Sequence, residues 1–138
     1  MSEGNTTIVG SLGRDPELRY TAGGAALCSF TVAQSRRYKS GDEWKEDTAW
    51  IDVTAWRDLA EHIVASCTKG TRVIVSGYLR QEEWDDKDTG KKRSKLSLVA
   101  DAVGVELRWA TAMVEKVERE GGSARQQQRE AYSSEEPF

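Results

Sequence analysis

The chain has 138 residues, with 20 Lys+Arg against 23 Asp+Glu, one His and two Cys, enough for one core of ordinary domain size plus a remainder and too little for a second domain. It contains no run of eighteen apolar residues and no basic-then-apolar leader behind Met1, so neither a membrane span nor a secretory signal is expected, and the cytoplasm is the predicted compartment. The net charge of −3 argues on its face against a nucleic-acid partner. Up to Trp109, however, 16 basic residues face 17 acidic ones, and the remaining excess lies beyond it. The folded part is therefore near neutral, and Arg36, Arg37 and Lys39, or Lys91, Lys92, Arg93 and Lys95, leave room for a basic track.

In chain order, Thr6 to Val9 reads as a strand leading into Gly10 and Gly13. Asp15 and Pro16 mark a turn before Glu17 to Tyr20, and Gly23-Gly24 marks another. From Ala26 the even positions Ala26, Cys28, Phe30 and Val32 are apolar and the odd ones between them largely polar, the period of a half-buried strand. Lys39 to Asp47 is expected to be a charged loop.

Thr48 to Trp56 alternates again, with Ala49, Ile51, Val53 and Ala55 on one face and Trp50, Asp52, Thr54 and Trp56 on the other. In Arg57 to Thr68 the apolar residues Leu59, Ile63 and Cys67 recur at helical spacing, and Lys69-Gly70 supplies a stop. Strand alternation resumes with Val73, Val75 and Leu79 on the core side and Ile74, Tyr78, Arg80 and Trp84 opposite. Beyond a polar loop, Asp85 to Arg93, the next strand places Leu96, Leu98 and Ala100 on one face. Short strands with one helix between the third and fourth predict an all-β fold, a five-stranded oligonucleotide-binding Greek-key barrel. After Val105 the sequence ELRWATAMVEKV fits either a sixth strand or a short helix. The glutamine-rich run that follows reads as a flexible linker.

Trp50 and Trp56 stand on the polar side of their strand, six residues or about 20 Å apart. Large aromatics on a solvent face mark a surface that stacks something, or one buried in a subunit contact. Stacking is the preferred reading for Trp50 and Trp56, and a subunit contact for Ile74 and Tyr78. Aromatics interleaved with arginine and lysine suit single-stranded nucleic acid, whose bases expose π-faces that a duplex hides. An enzyme is not expected: His62 stands alone on the helix, and neither a phosphate loop nor a metal-ligand cluster is present. No cofactor and no metal are predicted. Cys28 and Cys67 read as small buried hydrophobes.

Several motifs together resemble the bacterial-type single-stranded DNA-binding protein family. They are VGSLG (Val9 to Gly13), DPELRY (Asp15 to Tyr20), FTVA (Phe30 to Ala33), TAWIDV (Thr48 to Val53) with Trp56, Leu59 and Ala60, then Lys69-Gly70, VSGYLR (Val75 to Arg80) and Trp84. VGVELRWATA (Val103 to Ala112) is similar to an extension of the actinobacterial branch. The resemblance implies a barrel that assembles as a homotetramer and binds single-stranded DNA in replication, recombination and repair, in the nucleoid-associated cytoplasm. It implies that Trp50, Trp56 and Trp84 stack bases, with Tyr38 in place of a further family tryptophan and Trp44 as its rival; the charge clusters and strand faces add Arg36, Arg37, Arg80 and Lys92 as candidate phosphate contacts. Glu82, Glu83, Asp85 and Asp86 around Trp84 depart from the family's basic neighbours and should repel phosphate unless Lys91 to Lys95 compensates. The resemblance also implies that residues around 108 to 117 form an extra strand clamping neighbouring subunits. Residues 1–117 are then the binding and oligomerisation domain, 118–132 the linker, and 133–138 an acidic tip whose Glu135, Glu136, Pro137 and Phe138 hold replication, recombination and repair proteins. The competing functions are a protein-interaction module and an RNA-binding barrel on the same fold.

Overall fold

The computed structural model describes residues 4–118, so the expected linker and the tip residues Glu135 to Phe138 lie outside the described residues. Six strands and one helix follow in the order β1 (Thr6–Leu12), β2 (Glu17–Tyr20), β3 (Ala26–Ser40), β4 (Glu43–Trp56), α1 (Arg57–Ser66), β5 (Arg72–Asp85) and β6 (Lys92–Val105). The sheet order is β1-β5-β6-β4-β3-β2, and β1 also pairs with β3, so β1, β5, β6, β4 and β3 close on themselves. Closure comes from two short ladders, the parallel pairs Val53↔Leu98 and Thr54↔Val99 and the antiparallel pairs Ser11↔Ala33 and Leu12↔Val32. β2 lies outside the barrel, paired to β3 from Ala26 to Ser29. The expected five-stranded barrel is the observed one, and its helix joins the third and fourth barrel strands.

The inward positions of the alternation form the core. Ile8, Leu12, Cys28, Phe30, Val32, Val53, Ala55, Val73, Val75 and Leu98 are buried, α1 adds Ala60 and Ile63, and its C-cap adds Cys67. Gly10 lets β1 pass β3, because a Cβ there would meet the Ala33 carbonyl oxygen and Val32 Cγ1. Gly77 stands where the β5–β6 ladder slips by one residue beside Asp101, and a Cβ would run into the Val99 carbonyl.

Two expectations are corrected. Lys39 to Asp47 is not a loop: β3 runs to Ser40 and β4 starts at Glu43, joined by Gly41-Asp42. Gly41 has φ 63°, suiting the first central position of a II′ hairpin turn. Leu79 and Leu96, assigned to core faces, are exposed because the β5–β6 hairpin outruns the barrel. Residues 108–117, expected to pair with neighbouring subunits, form no ladder within the described residues of the single chain, and Trp109, Met113 and Val114 are exposed.

The entry to α1 is unusual. Trp56, its N-cap, offers no side-chain cap, and Arg57 has φ 61°, a left-handed conformation costing roughly 1–2 kcal/mol for a residue with a side chain.

Candidate nucleic-acid interface

The site is built by the long β3–β4 hairpin and the adjoining β6 and β5. In β4 the odd residues Val53 and Ala55 point inward, so the even residues point out. Carrying that alternation through the hairpin places Trp56, Trp50 and Trp44 on one outward face at intervals of six residues, about 20 Å each. They are 39%, 65% and 64% exposed. The Trp50 ring lies against Gly13, where a Cβ would come within 2.8 Å of Cζ3. The Cζ3 edge of the indole is thus supported by the β1–β2 connection, and Gly13 leaves the space the ring needs.

Opposite these residues on β3 stand Leu27, Ala33 and Lys39, with Arg37 two pairs further in. The Arg37 guanidinium carbon sits 5.5 Å from the Trp44 ring centroid, and Arg37 makes no ion pair among the described residues. The outward residues of β5 continue the face with Tyr78, Arg80, Glu82 and Trp84, opposite Val99, Ser97, Lys95 and Arg93 of β6. Trp84 is 44% exposed, and Arg80 has no ion-pair partner among the described residues.

The acidic residues around Trp84 are answered by the β6 basic run. Lys95 Nζ lies 3.3 Å from Asp52 Oδ2 and 3.9 Å from Glu82 Oε2. Lys92 pairs with Glu83 at 3.5 Å, and Arg93 Nε donates to Asp86 Oδ2 at 2.7 Å. The Asp88 amide, and after it the Arg93 guanidinium, hold the Asp86 carboxyl below the usual carboxylate range. Asp52 also accepts a hydrogen bond from Thr31 Oγ1 at 3.2 Å. The compensation is therefore internal: Lys92, Arg93 and Lys95 are engaged by Glu83, Asp86, Asp52 and Glu82, leaving Arg37, Lys39 and Arg80 as positive charge without an ion pair among the described residues on the outward face.

The sequence-predicted residues divide between two faces. Trp50, Trp56, Trp84, Arg37 and Arg80 come together on the outward one. Tyr38 and Arg36 fall on the opposite face of the hairpin, where Arg36 sits 5.2 Å from the Tyr38 ring centroid and pairs with Asp47 at 3.6 Å. Lys92 likewise shares the inward register with Glu83. Trp44 is the residue that sequence reasoning left as a mere rival to Tyr38. Its signal was parity: 44, 50 and 56 are all even, and the pattern becomes visible once the strand is extended through the charged segment.

Among the described residues no group of three or more His, Cys, Asp or Glu is arranged to hold a metal ion, and no helix is long and apolar enough to cross a membrane.

The family model for the single-strand binding protein family matches residues 4–106. The chain is 44% identical over 119 residues to the single-stranded DNA-binding protein of Mycobacterium tuberculosis, covering 84% of this chain and 72% of that one. It is 41% identical over 120 residues to the single-stranded DNA-binding protein of Paenarthrobacter aurescens, covering 85% and 70%. Single-stranded DNA-binding protein 2 of Streptomyces coelicolor is 42% identical over 118 residues, 83% of this chain and 59% of that protein. With a closed barrel carrying a row of outward tryptophans and a family match across its full length, the chain belongs to the single-strand binding protein family.

Proposed function

We propose that this protein binds single-stranded DNA without sequence preference, holding bases against Trp44, Trp50, Trp56 and Trp84 and phosphates against the uncommitted cations of the same face, in replication, recombination and repair. The observation that carries the reading is the row Trp44, Trp50, Trp56 on one strand, each more than a third exposed. A core has no use for three outward indoles, whereas a stacked base gains about 1–3 kcal/mol from each. The spacing exceeds one nucleotide, so successive tryptophans mark separate stacking points along a bound strand. Duplex is refused because its bases are already stacked on one another.

The test is tryptophan emission. Oligo(dT) should quench it, strongly at low salt and less as salt rises, while a duplex of equal length should not. Absence of quenching by oligo(dT) at low salt contradicts the proposal and favours a protein-interaction module. Quenching by oligo(rU) as strong as by oligo(dT) moves the reading to RNA.

Two further parts of the proposal concern assembly. The exposed Leu107, Trp109, Met113, Val114 and Val117 suit burial against other subunits of a homotetramer, with residues 1–117 acting as the binding and oligomerisation unit. Residues 118–132 serve as a linker to the tip at 133–138. There Phe138 fits a hydrophobic pocket on replication and repair proteins, a basic residue takes its carboxylate, and Glu135 and Glu136 meet flanking cations.

A further inference from the structure

Among the described residues five have a left-handed backbone conformation. Gly24, Gly41, Gly70 and Gly90 are four of them, and the fifth is Arg57 at φ 61°. At the other four positions the chain uses the residue that adopts this conformation without penalty. At Arg57 it keeps a long cationic side chain instead.

A second cost falls on the same residue. Arg57 opens α1, where the aligned peptide dipoles present their positive end and disfavour a cation. The N-cap before it is Trp56, which makes no side-chain cap where serine, threonine, aspartate or asparagine would. Two successive residues thus break the local rules for starting a helix. The side chain recovers nothing visible within the chain: Arg57 is exposed and makes no ion pair, hydrogen bond or ring contact among the described residues. Local rules broken in this way, without compensation in the fold, mark residues retained for a ligand.

From this we infer that Arg57 is a phosphate contact of the bound single strand, paired with the stacking residue Trp56. The proposal rests on the reading of the outward tryptophan face as the single-strand path. Trp56 is the last outward residue of β4, and the left-handed turn at Arg57 carries the next side chain away from the strand's inward register, where residue 57 of a continued β4 would point into the barrel. A base stacked on Trp56 brings its own phosphates within a nucleotide's length, and a guanidinium is the side chain best suited to hold one through paired N–H donors.

Three variants separate the role from the backbone. Arg57→Gly removes the cation and the strain together, so its Tm should rise while oligo(dT) affinity falls about 2- to 10-fold at low salt and the slope of log affinity against log salt flattens by about 0.7, one phosphate contact. Arg57→Gln keeps the β-carbon and loses the charge, and should weaken binding similarly with Tm near the wild type. Arg57→Lys should restore most of the salt slope. Arg57→Gly binding with wild-type affinity and slope overturns the proposal, as does a Tm that stays level or falls, which would assign the arginine to the fold. If the wild-type protein itself fails to quench with oligo(dT), the underlying reading of the face fails as well; wild-type quenching with an unaltered Arg57→Gly profile removes Arg57 alone.

Discussion

Tyr38 and Trp44 stand almost opposite one another on the β3–β4 hairpin, one pair apart in register, yet they point to opposite faces. A single step of alternation puts Trp44 on the proposed DNA face and Tyr38 on the other. Trp44→Ala should weaken oligo(dT) binding by about 1–3 kcal/mol, comparable to Trp50→Ala, because each removes one stacking surface. Tyr38→Ala should leave affinity within experimental error. A fluorescence or anisotropy titration decides it, and equal losses for the two would mean that the strand wraps around the hairpin edge. The candidate site was legible for Trp50, Trp56 and Trp84, where alternation between apolar and polar neighbours sets each face. The outward face was not legible for Tyr38, taken from the family resemblance, or for Arg36 and Lys92, taken from their basic clusters; on a strand, neighbours one residue apart face away from each other.

At the scale of elements, the hairpin shows why the charged stretch was read as a loop. From Glu43 to Trp50 every residue is exposed, so neither face carries the apolar beat that identifies a half-buried strand. Its pairing comes from β3, which began as a well-patterned core strand and carried the ladder outward to a glycine turn. Helix α1 was legible because its apolar stripe is real: Ala60, Ile63 and Cys67 are all buried against the barrel. Cys67, just past α1, and Cys28 of β3 have a pH signature. Burial, and secondarily the neighbouring Cys67, pushes the Cys28 thiol up to about 11, and burial raises Cys67 as well. The folded state thus favours the protonated thiols, and their contribution to stability is fully present below the ordinary value of 9.0 and is lost as pH rises from there toward about 11. Urea midpoints measured from pH 8 to 11 should fall over that window, and Cys28→Ala with Cys67→Ala should reduce the fall. A drop of the same size in the double variant would place its cause elsewhere.

For the whole molecule, the proposed assembly rests on what the single chain leaves uncovered. Arg72 holds Glu106 by an ion pair of 2.8 Å, and the Glu106 amide donates to the Arg72 carbonyl, so the extension leaves the barrel from a fixed point. Beyond it Trp109, Met113 and Val114 meet solvent. Replacing all three by serine should lower the oligomer mass seen by sedimentation while far-UV circular dichroism stays unchanged. A tetramer of unaltered stability in that variant contradicts the clamp.

The sequence by itself determined the barrel, its helix and the outward placing of the paired tryptophans, because burial writes a period of two or of 3.6 into any segment with one apolar face. It also carried the family, through motifs spread over most of the chain. Only the tertiary structure decided where periodicity falls silent: the length of a hairpin exposed on both sides, the strand slip beside Asp101, the neutralisation of Asp52 and Glu82 by Lys95 from another strand, and the left-handed turn at Arg57. Each depends on a partner distant in sequence or on a backbone angle, and neither leaves a local pattern in the order of residues.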